Sequence, residues 1–242
     1  MSLLKKIKTA IEKNQLYKIV FSGDSLTSSD WLHPNWREIF EYVLKEELTK
    51  IMGDWKKPYW NIRCINAGLD GASTKDILEL SGKYILCNKP QMSLMLVGIN
   101  DIWQKNTPSQ FLDNLTRLAN LLKKENCFTI YVSPPPSSNE EKNEKFEPFL
   151  AHSEAKISEI MDLYIDLFND FRVIKDLNKF YTLASEGNED FDIKPGEKDF
   201  IHPNVLGNAY MAKFILEKLF RVSFSPEKYL SNMRNGIMNP SY

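Results

Sequence analysis

A serine, a histidine and an aspartate in this sequence have the types and positions that nucleophilic chemistry requires. Ser25 directly follows an apolar, strand-like run, so its hydroxyl would lie at the carboxyl edge of a sheet. A serine hydroxyl attacks well only when a base accepts its proton. His202 can be that base, because Pro203 disfavours helical angles at His202 and can itself open the following helix, so that His202 projects from a loop end. Asp199, three residues earlier, can accept the Nδ1 proton and fix the tautomer.

Four short blocks contain these and other polar residues. They follow one another in a fixed order along the chain, each near the end of a predicted strand. They are Gly23-Asp24-Ser25-Leu26, Asn66-Ala67-Gly68-Leu69-Asp70-Gly71, Gly98-Ile99-Asn100-Asp101 and Asp199-Phe200-Ile201-His202-Pro203. The ordered set resembles the GDSL/SGNH serine hydrolase family of lipases, acylhydrolases and esterases, over about Ile19 to Phe220. The first string alone is common, whereas the whole series in this order is specific.

The resemblance implies an ester hydrolase that needs no cofactor and no metal. Ser25 would be the nucleophile, His202 its base and Asp199 the partner of the imidazole. Attack on an ester places negative charge on the carbonyl oxygen, and donors must already point at that oxygen. By the same resemblance, the donors would be the backbone N–H groups of Ser25 and Gly71 and the side-chain amide of Asn100.

Acidic and aromatic residues beside these blocks receive separate interpretations. Asp24 and Asp101 can stabilise their turns through side-chain to backbone hydrogen bonds. Asp24, Trp31 and Trp103 are also candidates for contact with the substrate. Asp70 stands where the family often has a small polar residue, and a carboxylate that pointed inward there would oppose the developing charge. We therefore expect Asp70 to point away from the reacting oxygen.

The elements that must position these residues follow from the alternation of apolar runs with helical patterns. The predicted strands are Lys18–Ser22, Ile62–Asn66, Ser93–Gly98, Thr129–Ser133 and Arg172–Lys175. The predicted helices are Asn35–Thr49, Thr74–Leu86, Pro108–Glu125, Asn143–Asn169 and Asn204–Phe220. Continuous apolar strands suit a parallel sheet that is covered on both faces. The predicted fold class is α/β: a doubly wound, flavodoxin-like three-layer sandwich with a central parallel sheet of about five strands, the SGNH hydrolase fold.

Length and composition indicate one domain over residues 1–242, with a core at about 19–220, an N-terminal helix at 2–16 and an irregular tail at 223–242. The net charge of −1 and the lack of a basic patch argue against a nucleic-acid partner. No apolar stretch is long enough for a membrane span or a signal peptide, so we expect a cytoplasmic protein. The three cysteines have no metal-ligand spacing and are odd in number, which argues against a disulfide framework.

The expected substrate is a small-molecule ester with a short acyl group such as acetyl on a polar alcohol, with sugars among the candidates. A lysophospholipase, a thioesterase or an acyltransferase on the same fold remains an alternative. A different class is a non-catalytic, flavodoxin-like binding module, which would have no use for the Asp199-x-x-His202 pair. The α/β-hydrolase fold requires a Gly-x-Ser-x-Gly elbow, and the sequence lacks that string.

Overall fold

A computed structural model describes residues 2–28, 31–187, 189 and 193–236. Its centre is a five-stranded sheet of β1 (Tyr17–Gly23), β2 (Ile62–Gly68), β3 (Met92–Leu96), β4 (Phe128–Val132) and β5 (Leu163–Ile165). All neighbouring strands are parallel and lie in the order β2-β1-β3-β4-β5. This order changes direction beside β1, which is the point where doubly wound sheets bind ligands.

Ten α-helices are described: α1 (Leu3–Glu12), α2 (Trp36–Met52), α3 (Lys56–Asn61), α4 (Thr74–Tyr84), α5 (Ile99–Trp103), α6 (Pro108–Lys124), α7 (Glu140–Ile160), α8 (Leu167–Arg172), α9 (Val205–Phe220) and α10 (Pro226–Arg234). Apolar residues of α1, α2, α8 and α9 pack on one face of the sheet, and those of α4 and α6 pack on the other. The predicted three-layer α/β class is therefore confirmed.

Local sequence explains where the helices next to the site begin. Asn35 caps α2 and forms a capping box with Glu38, so that both side chains satisfy backbone N–H groups at the helix start. Asn204 caps α9 by accepting a hydrogen bond from the N–H of Gly207 at 3.0 Å. Both caps lie near the carboxyl edge of the sheet, so they fix the ends of α2 and α9 that face the site.

The register of the sheet brings three of the predicted blocks together. Gly23 at the end of β1 lies beside Gly68 of β2 on one side and Leu96 of β3 on the other. A Cβ at position 23 would lie 2.1 Å from the carbonyl oxygen of Leu96, so only glycine allows this close approach. The loops that follow the three strands therefore begin side by side.

A second, two-stranded antiparallel sheet carries the fourth block. It consists of β6 (Tyr181–Leu183) and β7 (Lys198–Pro203). The carbonyl of Phe200 in β7 accepts hydrogen bonds from Ser137 Oγ at 2.7 Å and Ser138 N at 3.2 Å, in the proline-rich loop after β4. These bonds hold β7 against the carboxyl edge of the main sheet. His202 thus lies on a strand rather than on the expected loop end, whereas α9 begins at Val205, one residue after the predicted start at Asn204.

The prediction of a strand at Arg172–Lys175 is wrong. The fifth strand is β5, which the predicted helix Asn143–Asn169 covered. Arg172 instead ends α8 and forms ion pairs with Glu140 and Glu147, and Val173 is 81% exposed. A short apolar run near the surface has the composition of a strand, but of its two apolar residues only Ile174 packs against the core.

The N- and C-terminal expectations have different outcomes. A helix does precede β1, although α1 ends at Glu12 rather than at residue 16. The tail was expected to be irregular, but it contains the helix α10. This helix begins with Pro226 in its first turn and packs Tyr229 and Leu230 into the core. Residues 237–242 lie outside the described part of the chain. No helix within the described residues has the length and apolar character that crossing a bilayer requires.

Candidate active site

Ser25, His202 and Asp199 lie in one hydrogen-bonded row. Ser25 Oγ is 2.9 Å from Nε2 of His202, and Nδ1 of His202 is 2.7 Å from Oδ2 of Asp199. The other oxygen of Asp199 accepts the backbone N–H groups of Ile201 at 2.8 Å and His202 at 2.9 Å. This is the arrangement in which a base takes a proton from a nucleophile while a carboxylate holds the base in one tautomer.

The charge of Asp199 depends on a balance between burial and hydrogen bonding. Burial alone would raise the pKa of this carboxyl, but the hydrogen bonds and charge of His202, together with the N–H of Ile201, outweigh burial and lower the pKa below its ordinary value. Asp199 therefore stays ionised and keeps a proton on Nδ1 of His202. In the tautomer that carries its proton on Nδ1, Nε2 can accept the proton of Ser25.

The turn that carries Ser25 is held by Asp24. The backbone carbonyl of Asp24 accepts the N–H groups of Thr27 at 2.9 Å and Ser28 at 3.0 Å, and its Oδ1 accepts the N–H of Leu26 at 3.0 Å. Asp24 is 1% exposed, and burial raises its pKa from 3.8 to about 7. Such burial does not support the expectation that Asp24 contacts the substrate, whereas the turn-stabilising interpretation agrees with these bonds.

The two further oxyanion candidates lie in loops that are bonded to each other. Gly71 has a φ of +70°, a conformation that favours glycine. Asn100 is the second residue of α5 and donates from Nδ2 to the carbonyl of Ala72 at 3.1 Å. A carboxamide has two N–H donors, and this bond occupies one of them. Asp101, which is fully buried, accepts hydrogen bonds from Thr74 N at 2.9 Å and Thr74 Oγ1 at 2.6 Å, so it ties the loop after β3 to the start of α4.

The loop after β2 is also bonded to the turn that carries Ser25. Leu69 donates its backbone N–H to the carbonyl of Gly23 at 2.9 Å. Asp70 accepts a hydrogen bond from the hydroxyl of Ser28. The carboxylate that departs from the family pattern is therefore bound to the Ser25 turn.

The two candidate tryptophans have different surroundings. The indole of Trp31 stacks on the imidazole of His202, with ring centroids 4.1 Å apart and planes 4° from parallel. Trp31 is nevertheless 45% exposed, so its ring covers His202 and also meets solvent. Trp103 packs edge-on against Phe146 of α7, and Nζ of Lys142 lies 4.6 Å from its ring centroid. Trp103 is a packing residue of α5 and α7 by these contacts.

Two cavities adjoin His202, and Trp31 lines both. The larger has a volume of about 260 Å³ and is lined by Trp31, Leu32, residues 182–187, Asp199, His202 and Pro203. The smaller lies beside Ser25 and is lined by Ser25, Leu26, Trp31, Leu32, Asn35, His202, Pro203 and Asn208. Sequence reasoning missed Asn35, Asn208 and the segment 182–187. Only Asn35 had a local signal, because an asparagine three residues before Glu38 is typical of a helix start.

No candidate metal site is present among the described residues, since they contain no group of three or more His, Cys, Asp and Glu placed to hold an ion.

The fold and the site together define a flavodoxin-like sheet with serine, histidine and aspartate at its carboxyl edge. Residues 21–210 match the family described as GDSL-like Lipase/Acylhydrolase. The chain belongs to this family, and its enzyme class is that of a GDSL-type acylhydrolase.

Similar proteins agree with this assignment. An acetylxylan esterase of Geobacillus stearothermophilus is 26% identical over 90 residues, which span 36% of this chain and 41% of that protein's length. A variant of Axe2, an acetyl-xylooligosaccharide esterase from Geobacillus stearothermophilus, superposes with a TM-score of 0.66 at 19% identity, covering 87% of this chain and 98% of that one. A lipase/acylhydrolase from Enterococcus faecalis gives a TM-score of 0.60 at 21% identity, with 84% and 95% covered. At such identities the superpositions show a shared fold.

Proposed function

We propose that this chain is a serine esterase that hydrolyses short-chain acyl esters, acetyl esters above all, of small polar alcohols, with sugars among them. The observation that carries the proposal is the row in which Ser25 Oγ lies 2.9 Å from His202 Nε2 and His202 Nδ1 lies 2.7 Å from Asp199. A hydroxyl placed this way can be deprotonated as it attacks a carbonyl carbon.

The chemistry proceeds in two halves. Ser25 attacks the ester carbonyl while His202 takes the hydroxyl proton, and the oxyanion is held by the N–H groups of Ser25 and Gly71 and the amide of Asn100. Collapse of this intermediate breaks the bond to the alcohol, and His202 gives the proton to the departing oxygen. Water then attacks the acyl-enzyme with His202 again as base, which releases the acid and restores Ser25.

The larger cavity supports a polar alcohol as the leaving group. It adjoins His202, the residue that must protonate the departing oxygen. Thr182, Ser185 and Glu186 offer it polar side chains, while Trp31 and Leu183 offer apolar surface. A sugar has hydroxyls for the first group and apolar ring faces for the second.

The small size of the cavity beside Ser25 supports a short acyl group, and the two esterases of Geobacillus stearothermophilus named above act on acetylated substrates by their names. An added methylene that finds no room costs about 1–3 kcal/mol of discrimination in an apolar pocket. We therefore expect kcat/KM to be highest for acetyl to butyryl esters and to fall for octanoyl and longer esters.

A panel of chromogenic esters of increasing chain length, run beside Ser25→Ala, tests the proposal. A fluorophosphonate probe should label one serine, and Ser25→Ala should abolish both labelling and turnover. Labelling that persists in Ser25→Ala would refute the nucleophile. Activity that rises steadily to long chains and at lipid interfaces would refute the short-acyl substrate and favour a lipase or lysophospholipase. Product analysis with an added alcohol acceptor separates hydrolysis from acyl transfer.

A further inference from the structure

A buried asparagine, Asn208, is hydrogen-bonded both to the chain next to His202 and to the start of α2. Asn208 lies in the first turns of α9, is 4% exposed and lines the cavity beside Ser25 and His202. Its Nδ2 donates to the carbonyl of Pro203 at 2.7 Å and to that of Asn204 at 3.1 Å. Its Oδ1 accepts the backbone N–H of Trp36 at 3.0 Å. One side chain thus contacts both the residue after His202 and the first residue of α2.

The start of α2 in turn holds the turn that carries Ser25. The indole Nε1 of Trp36 donates to the carbonyl of Leu26 at 3.0 Å. Asn35 donates from Nδ2 to the carbonyls of Leu26 at 3.2 Å and Ser28 at 3.0 Å, and Arg37 donates from Nε to the carbonyl of Thr27. The carbonyls of the three residues after Ser25 are therefore all bound by consecutive residues of one helix start.

We propose that Asn208 is a positioning residue that sets the separation between Ser25 and His202. The inference rests on the proposed function, in which a proton passes between these two side chains. Asn208 contacts Pro203, which is covalently joined to His202, and contacts Trp36, which holds Leu26, the neighbour of Ser25. A misplacement of about 1 Å between reacting groups can lower a rate about 100-fold, so a link that fixes this separation affects turnover directly.

The chemistry of the side chain explains why an asparagine performs this task. The position needs an acceptor for the N–H of Trp36 and a donor for the carbonyl of Pro203, and a carboxamide supplies both within one rigid plane. Alanine removes both bonds. Aspartate keeps the shape and the acceptor for Trp36 but places an oxygen against the carbonyls of Pro203 and Asn204. It therefore loses the bonds next to His202 and keeps the bond to Trp36.

The experiment compares Asn208→Ala and Asn208→Asp with Leu118→Ala, a control on α6 in the core on the opposite face of the sheet. We expect Asn208→Ala to lower kcat about 10- to 100-fold with KM changed less than about three-fold, and to slow fluorophosphonate labelling in parallel. Leu118→Ala, although destabilised, should keep kcat within about two-fold when measured well below its Tm. If Asn208→Ala does not fold, the same thresholds apply to Asn208→Asp.

A second comparison separates positioning from general stability. Trp36→Phe keeps a smaller aromatic ring at this buried position but removes the indole N–H that donates to Leu26. Its effect on kcat should be less than additive with that of Asn208→Ala, because both changes break one connection. A kcat within two-fold of wild type in folded Asn208→Ala or Asn208→Asp overturns the inference, as does full additivity with Trp36→Phe. Activity that survives in Ser25→Ala would instead overturn the proposed function, so the two failures are distinguishable.

Discussion

At the scale of single residues, Asn100 offers the sharpest test of the oxyanion proposal. Asn100→Ala should lower kcat by about 10²–10³-fold with little change in KM, because its bond to the oxygen forms mainly in the transition state. Steady-state kinetics with an acetyl ester measures both constants. Asn106→Ala is the matched control, because Asn106 donates to Asp101 at 3.1 Å in the same loop. Equal losses in the two variants would mean that the loop, and not the donor, was disturbed.

Asp199 governs how activity depends on pH. Because its pKa is lowered, Asp199 stays charged to more acid pH than an ordinary aspartate, so the loss of kcat/KM that comes from protonation of Asp199 should appear only below about pH 4. Asp199→Asn should lower kcat by up to about 10⁴-fold, since the imidazole loses its preferred tautomer. A pH profile of both enzymes provides the measurement. Full turnover in Asp199→Asn and in Asp199→Ala would show that another group orients His202.

Some residues of the site could be predicted from the sequence and others could not. Ser25 and the Asp199-x-x-His202 pair are local patterns, and the rule that ligands bind at the carboxyl edge of a parallel sheet predicts that Ser25 lies there. The pair itself lies on β7 of the second, antiparallel sheet, which the rule does not describe. Asn208 has no such pattern. Its contact with Trp36 joins residues 172 positions apart, and only the packing of α9 on α2 creates it.

At the scale of elements, strands were predictable where burial is complete. β1 and β3 are rich in apolar residues and almost entirely buried, and their composition reveals them. β5 has three residues and follows α7 without a glycine or proline to mark the change. A tertiary contact ends the helix. Asp162 accepts hydrogen bonds from the backbone N–H of Thr129 at 2.8 Å and from the hydroxyl Oγ1 of Thr129 at 2.9 Å, and these bonds align the chain with β4. No local pattern contains that information.

The close packing of β1 against β3 predicts the effect of a single methyl group. Gly23→Ala should destabilise the fold by at least about 1–3 kcal/mol, because the added Cβ would lie 2.1 Å from a backbone oxygen that cannot move away. Gly82→Ala is the control, since Gly82 lies in α4 with no atom within 4 Å of an added Cβ. That change should raise stability by about 0.5–1 kcal/mol. Thermal unfolding of both variants checks the opposite signs, and an unchanged Tm in Gly23→Ala would contradict the strand spacing.

At the scale of the whole molecule, the buried acid Asp24 makes stability depend on pH. Its pKa is raised by burial from 3.8 to about 7, so the folded state binds this proton more tightly than the unfolded state does. Its contribution is therefore fully present below the ordinary pKa and is lost as pH rises toward 7, by an amount on the order of 4 kcal/mol. Among the described residues, Asp24 Oδ2 has no hydrogen-bond partner that would offset the charge.

Asp24→Asn should remove this dependence. Its free energy of unfolding should exceed that of the wild type at pH 8, and the difference should shrink as pH approaches 4, as measured by urea unfolding. Asp113→Asn, a change at an exposed residue of α6, should leave the wild-type dependence intact. A constant difference between Asp24→Asn and wild type across this range would show that Asp24 does not change its charge.

That residues 1–242 form one domain stays a prediction.

The 177 positions between Ser25 and His202 have a consequence during synthesis. Ribosomes add about 5–20 residues per second, so roughly 10–35 s pass between the translation of Ser25 and that of His202. Under the proposed function, the nascent chain carries the nucleophile through this interval before its base has been made. On the same proposal, a ribosome-bound or prematurely terminated chain that stops before β7 has no esterase activity, and catalysis begins only after the final segment has docked.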